Sequence, residues 1–445
     1  MKILHFADAH GNEKDLPEII NCIEGIIKEA LIEEPDLIAF AGDLFNSQNI
    51  KLDSNCVKYI FDAFSRLANI APVAVVIGTP SHDGKAAEVL SHIQAKFSII
   101  VSDKPEMLYL IRTSRQESEK VFEIPETYDL INEDSLLKKA GVPHVKALVS
   151  MVPTPTKQFF PTADGEDIKQ TDHDIAQAMS GIFGGFGAIA SKYFATPHIM
   201  VGHFQVGGAF ISETQQLTGV DIEISKDQLA LAQADVICLG HIHKRQQIGD
   251  NIFYSGSIYR QNFGELEEKG FYIHETSYPS GSVLCESRFV ETPARKLVKL
   301  EADFTKEYAE EEKEEWAKKS PLLIPADSGC KWSFYLDENN IEKIKDAFVR
   351  LEIKIHQNDI EKLDKKEIRR TLLEDGGAAD VDIRLIIIPR VNVRSEKILQ
   401  LETLPEKLVE MASLRGEEVS ESILEKARAI ESQTHDDVIN MLKKA

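Results

Sequence analysis

Two hydrophobic periods alternate along the first third of the chain. Lys2 to Ala7, Asp36 to Ala41 and Pro72 to Ile77 are short, mostly apolar runs. Between them Leu16, Ile19, Ile20, Ile23, Ile26, Ile27 and Leu31 recur at helical spacing over Leu16 to Ile32, and Val57 to Leu67 repeats that pattern. Short apolar runs read as buried strands and longer stretches with a period of about 3.6 residues as helices, which makes this an α/β layered domain. Each strand runs straight into a polar cluster: Asp8-Ala9-His10, then Gly42-Asp43-Leu44-Phe45-Asn46, then Gly78-Thr79-Pro80-Ser81-His82-Asp83. Open α/β sheets bind ligands just beyond the carboxyl ends of their strands, so these clusters are where chemistry is expected.

Further along, Met107 to Ile111 and Ala147 to Val152 read as strands, followed by a polar loop with Pro153, Pro155 and Pro161. Asp172 to Phe194 reads as a helix in spite of Gly181, Gly184, Gly185 and Gly187, which weaken it. His198 to Val201 and Asp235 to Leu239 are strands that again run into histidines, His203 and the His241-Ile242-His243 pair. Ile252 to Ser255, Gly270 to His274 and Val283 to Phe289 are expected to close a sheet as antiparallel strands.

Composition shifts near Thr292, where Pro293 precedes the acidic stretch Glu301 to Glu315. We divide the chain there, into a domain over 1–292, a small α+β unit over 293–394 and a helical segment over 395–445. The small unit is expected to hold a strand at Lys331 to Leu336, a helix at Ile341 to Leu351, a charged helix at Asp359 to Leu373, a break at Gly376-Gly377 and a strand at Val381 to Pro389. Leu404 to Leu442 carries an apolar stripe, divided at Gly416, that must bury against its own body or another chain.

Length and composition narrow the class. At 445 residues with 43% hydrophobic content, the chain can bury several cores, roughly three at about 150 residues each. No apolar run approaches the roughly 20 residues that span a bilayer, and the opening residues lack a signal sequence, so a cytoplasmic protein without membrane contact is expected. Five scattered cysteines form no C-x-x-C. A net charge of −22 argues against simple nucleic-acid binding, although bound divalent cations can reverse the field at a site.

The polar clusters supply what a pair of divalent ions needs: carboxylates and imidazoles, one of them shared so that the ions sit roughly 3.5–4 Å apart. Asp8 and His10 would hold the first ion with His243, Asp43 would bridge, and His203 with His241 would hold the second. Taken singly, Asp8 fits a helix cap and Gly42-Asp43 fits an ordinary turn. His241-x-His243 says more, because alternate residues of an extended chain point the same way. His5, His92, His144, His173, His198, His274, His356 and His435 lack such a setting and are expected on the surface or in the core.

In order, Asp8-x-His10, Gly42-Asp43, His82-Asp83, Gly202-His203 and Gly240-His241-x-His243 resemble the calcineurin-like metallophosphoesterase superfamily. Within it, Tyr254-Ser255-Gly256-Ser257-Ile258-Tyr259-Arg260-Gln261-Asn262-Phe263-Gly264-Glu265 and Lys269-Gly270-Phe271 resemble the SbcD-type DNA exonuclease subunit. The resemblance implies a four-layer α/β/β/α sandwich with a small α+β capping domain and C-terminal helices. It implies two divalent ions, manganese or magnesium, with His82 stabilising charge or protonating the leaving oxygen and Asp83 orienting it. It further implies DNA as substrate, a coiled-coil ATPase of the SbcC type held by the C-terminal helices, and a homodimer. Ser81 stands where the family has an Asn ligand; it offers a neutral oxygen on a shorter arm, so a weaker or rearranged second metal site is expected. Lys244, Arg245, Tyr259, Arg260 and Gln261 lie near the clusters as phosphate contacts, and Lys362, Lys365, Lys366, Arg369 and Arg370 form a basic run in the small unit. Two other readings stay open: a phosphatase or phosphodiesterase for a non-DNA substrate, and a non-catalytic scaffold.

Overall fold

In the computed structural model, the described residues are 1–112, 128–133, 144–155, 168–193, 195–211, 222–277, 284–305, 336, 338–389, 398 and 400–431. The strands among them are, in order, β1 (Lys2–Phe6), β2 (Leu37–Phe40), β3 (Val73–Val76), β4 (Ile99–Ser102), β5 (Glu106–Arg112), β6 (Tyr128–Asn132), β7 (Val145–Val152), β8 (His198–His203) and β9 (Gln205–Val206). They continue with β10 (Glu223–Ile224), β11 (Val236–Gly240), β12 (Gln246–Ile248), β13 (Ile252–Tyr254), β14 (Gly270–Ser277), β15 (Leu284–Glu291), β16 (Lys296–Asp303), β17 (Ala347–His356) and β18 (Asp380–Ile388).

Two sheets dominate. One has the order β15-β14-β1-β2-β3-β4, with β1 to β4 parallel and β14 and β15 antiparallel at one edge. The other has the order β12-β13-β11-β8-β7-β5-β6, with β7, β8, β11 and β13 parallel. Alternation in the strands sorts their side chains into separate cores. Leu4, Phe6, Ile38, Phe40, Val73 and Val75 pack on the helices Leu16–Glu33 and Asn55–Ala68. Their neighbours Ile3, Ala7, Leu37, Ala39, Ala74 and Val76 turn inward against Leu108, Val149, Val201 and Cys238 of the second sheet. That sheet's outer face, with Met200, Ile237 and Leu239, meets Ile175, Met179 and Phe183 of the helix Ile168–Ala190. Both faces of each sheet are therefore buried, which is why the central strands read as nearly continuous apolar runs. The result is the four-layer α/β/β/α arrangement.

Some elements differ from expectation. The Ile252 to Ser255 run does not join β14 and β15; β13 pairs with β11 and β12 in the second sheet. The helix expected over Ile341 to Leu351 stops early: Glu338–Ile344 is helical and Ala347 onward is β17. Ala347, Val349, Leu351, Ile353 and Ile355 are buried in strict alternation, and this period of two prevails over the helical spacing of Ile341, Ile344 and Leu351. The charged helix expected from Asp359 is split into a 3-10 turn at Gln357–Lys362 and a helix at Lys365–Glu374. The expected strand at Lys331 to Leu336 lies outside the described residues except for Leu336.

β16, β17 and β18 form a three-stranded sheet. Two terminal helices, Leu404–Ser413 and Glu421–Glu431, are separated around Gly416, and Val409, Met411, Leu414, Ile423 and Ile430 are exposed on them. The described residues fall into two compact units, one of those within 1–300, 336–351 and 369–382, the other of those within 301–335, 352–368 and 383–445. No helix among the described residues is long and apolar enough to cross a membrane.

Candidate metal centre

The carboxyl ends of β1, β2, β3, β8 and β11 converge, and each delivers its chemistry at the last residue of the strand, as His203 does, or in the turn that follows it. The β1 and β2 turns are zipped together by backbone bonds from Asp8 to the Gly42 carbonyl, His10 to Asp43 and Gly11 to Leu44, at 3.0, 3.0 and 2.8 Å. Asp8, His10, Asp43 and His241 all have left-handed backbones, with φ of 52°, 41°, 55° and 89°. Such conformations cost on the order of 1–3 kcal/mol each and gather where function requires them. The two sheets also approach closely. A Cβ on Gly42, whose own φ is 88°, would stand 2.4 Å from His203 Nδ1, and one on Gly240 would stand 2.1 Å from the Ala41 carbonyl.

Asp43 lies at the middle of the cluster. Its Oδ2 is 2.8 Å from His82 Nδ1 and 3.8 Å from His10 Nε2, while Oδ1 is 3.4 Å from His203 Nε2 and accepts the Thr79 N–H at 2.6 Å. His203 Nδ1 donates to the Ala41 carbonyl at 2.7 Å, which turns Nε2 toward Asp43. His10 Nε2 and His243 Nε2 face each other at 3.0 Å, and His243 Nδ1 donates to Glu265 at 3.0 Å. Among the described residues, three overlapping groups could each hold an ion: Asp8, His10 and His243; Asp8, Asp43 and His203; His10, Asp43 and His82. His241 stands beside them, its ring 5.2 Å from that of His203 and its N–H donating to Asp8 at 3.0 Å.

Electrostatics indicate what the cluster accommodates. Asp8 is fully buried, its Oδ2 has no hydrogen-bond partner, and burial raises its carboxyl above the ordinary range. Burial would also raise Asp43, but the imidazoles of His203, His82 and His10 outweigh it and hold that carboxyl well below its usual value. Burial and the neighbouring His243 ring push His10 well below the ordinary imidazole range, and its Nδ1 has no hydrogen-bond partner. For His203 the pull of Asp43 and Asp8 overcomes burial and raises the imidazole to about 9. Buried carboxylates are normally paired or bound to metal, and the lone pairs gathered here match divalent cations in number and kind.

The structure brings Asp8, His10, Asp43, His82, His203, His241 and His243 together, but not Ser81. Ser81 is exposed, and its carbonyl accepts from Gln48; the hydroxyl beside Asp43 and His203 belongs to Thr79, at 3.3 and 3.4 Å. Thr79 follows Gly78 just as Asp43 follows Gly42 and His203 follows Gly202, so counting from the strand end would have found it. Asp83 does not orient the His82 ring through a hydrogen bond. It is buried and accepts the N–H groups of Gly78, Leu44 and Phe45, tying the β2 and β3 turns together, while His82 Nδ1 goes to Asp43.

The expected phosphate contacts are mostly committed elsewhere. Tyr259 is buried with its hydroxyl against Asn12 and the His10 carbonyl, and Arg260 donates to the carbonyls of Ala294 and Arg295. Gln261 is half-buried, its N–H directed at Glu265. Lys244 and Arg245 are exposed, and Arg245 pairs with Glu268 at 3.1 Å over the Phe289 ring. In the basic run, Lys362 pairs with Asp359, Arg369 with Asp380 and Arg370 with Glu374.

A further buried group, His5, Cys238 and His274, lies between the sheets. It has no carboxylate, and its ring nitrogens bond to each other, to the Leu239 carbonyl and to Ser287.

Residues 1–245 match the sequence profile of the calcineurin-like phosphoesterases. Two relatives are named as the D component of the nuclease SbcCD. One, from Staphylococcus epidermidis, is 25% identical over 68% of this chain and 73% of its own length. The other, from Staphylococcus saprophyticus, is 24% identical over 62% of this chain and 65% of its own length, so the chain spans just under two thirds of that relative. The solved structure of the calcineurin-like phosphoesterase YfkN from Bacillus subtilis shares 14% identity over 66% of this chain and 90% of that one, at a TM-score of 0.34, a likeness too slight to argue from. Its profile match over more than half its length, on a four-layer fold with this cluster at the strand ends, makes the chain a member of the calcineurin-like phosphoesterase family.

Proposed function

We propose that the chain is a two-metal phosphodiesterase that cuts DNA as one component of a nuclease, with manganese as its native ion and magnesium as the alternative. The observation that carries this reading is Asp43, whose two carboxylate oxygens face separate imidazole sets, His10 with His82 and His203. One ion would be held by Asp8, His10 and His243, the other by His203 and His241 with Thr79 beside them, and Asp43 would be shared. Bound divalent ions supply an activated water and neutralise phosphate oxygens.

The chain's own side chains do the rest. His82 is half-buried, and its bond to Asp43 raises its imidazole above the ordinary value, which favours the protonated form and makes it the group placed to give up a proton. As water adds to phosphorus and the P–O bond to the leaving strand breaks, that proton passes to the leaving oxygen. Asp83 fixes the turn that carries His82.

DNA as substrate is supported by the names of the relatives and by the 254–271 motif. The partner reading, an SbcC-like coiled-coil ATPase, is supported by the same names and by the exposed apolar residues on Leu404–Ser413 and Glu421–Glu431. Full-length protein with Mn2+ is expected to shorten linear duplex DNA, and His82→Ala to slow this by about 100- to 10,000-fold with folding intact. Undiminished cleavage by that variant would remove His82 from its role, and cleavage of nitrophenyl phosphate without DNA would replace the nuclease reading. Deleting the residues after Leu404 is expected to abolish co-purification with such an ATPase; retention would free the helices from that role.

A further inference from the structure

Behind His243 lies a buried ionic relay outside the ligand cluster. Lys269 is 2% exposed and Glu265 1%, and among the described residues Lys269 is the one buried lysine or arginine. Lys269 Nζ donates to the His243 carbonyl at 2.8 Å and stands 2.9 Å from Glu265 Oε2 and 2.8 Å from Glu267 Oε1, so all of its protons are engaged. Glu265 is filled as completely: Oε1 takes the His243 Nδ1 proton at 3.0 Å, and Oε2 also accepts from the Ser257 hydroxyl at 3.2 Å. The His243 carbonyl takes a second bond, from the Ser257 N–H at 3.2 Å.

Burying charges in this way costs several kcal/mol per ion, and a packed apolar group would generally serve stability as well. What an apolar group could not do is dictate which imidazole nitrogen carries the proton. A carboxylate held ionised by a lysine accepts only, so the proton stays on Nδ1 and the Nε2 lone pair points toward His10 and the Asp8 side of the cluster.

We infer that Glu265 and Lys269 are positioning residues for His243: Glu265 fixes its Nδ1–H tautomer and aims Nε2 at an ion, while Lys269 keeps Glu265 charged and clamps the His243 main chain. The inference rests on the metal reading of the site. Carboxylate partners of metal-binding histidines of this kind contribute about 10- to 100-fold in metal affinity.

The experiment uses full-length protein labelled with 15N-histidine, read by long-range 1H–15N correlation without metal, together with Mn2+ titration followed by calorimetry. Wild type is expected to show His243 as the Nδ1–H tautomer. Glu265→Gln should mix the tautomers and weaken one of two Mn2+ sites by about 10- to 100-fold, and Glu265→Asp should restore part of both. An Nε2–H tautomer in wild type overturns the inference without any variant, as does an unchanged tautomer and Mn2+ affinity in Glu265→Gln. Should Glu265→Gln not fold, Lys269→Met with the wild-type spectrum decides the matter, since it too must disturb the tautomer. A wild-type Nδ1–H tautomer together with no Mn2+ binding would instead overturn the metal reading and leave the relay as a brace of the fold.

Discussion

In the inter-sheet core His5 Nδ1 lies 3.3 Å from His274 Nε2, and at the strand ends His10 Nε2 lies 3.0 Å from His243 Nε2. All four rings are buried and made of the same atoms, so their surroundings account for the difference. The core pair is closed: His5 Nε2 donates to the Leu239 carbonyl, His274 Nδ1 meets Ser287, and among the described residues their group holds Cys238 but no carboxylate. Burial accordingly holds His5 at about 3 and His274 well below its ordinary range. The strand-end pair opens onto Asp8 and Asp43, on a backbone held in left-handed turns, with Asp8 Oδ2 unbonded. Two histidines in contact do not by themselves suggest a metal site; carboxylates gathered beside them do.

The sharpest break between the pairs should come from Asp43→Asn. It removes the shared charge, and phosphodiester cleavage is expected to fall by on the order of a thousandfold, several kcal/mol of transition-state stabilisation, in a Mn2+-saturated assay. His274→Leu should do the reverse. It leaves His5 Nδ1 buried without its donor, costing about 1–3 kcal/mol in urea unfolding, with Mn2+ stoichiometry and cleavage unchanged. Loss of metal in this variant would mean that the core pair is not closed.

A graded effect concerns pH. Because folding depresses the His5 and His274 pKa values, the unfolded chain binds more protons than the folded one once pH drops below about 6.5. The stability contributed by keeping these rings neutral is complete above that value. It is lost as pH falls toward about 3 for His5, at up to about 1.4 kcal/mol per pH unit for each ring. Urea midpoints between pH 7 and 5 should show this slope, and His274→Leu should flatten it by about one proton.

The strand ends were legible because each apolar run stops at or just before a residue that carries the chemistry: Asp8, Asp43, His203 and His241 needed only the period of two and the rule for ligands at sheet ends. Ser81 misled because the position was counted back from His82-Asp83, whereas the turn is anchored by Gly78 at the end of β3, which brings Thr79 to Asp43. Arg260 and Tyr259 misled because proximity in sequence cannot show that their partners are the carbonyls at 294, 295 and 10. β17 was missed because its first residues fit both periods, and only the alternation through Ile353 and Ile355 separates them.

Anomalous diffraction at the manganese edge, from crystals of the full-length chain loaded with Mn2+, tests the central claim most directly. Two peaks roughly 3.5–4 Å apart are expected, one on each side of Asp43 and none beside His5 and His274. Absence of any peak within reach of Asp8, His10, Asp43 and His203 would contradict the account.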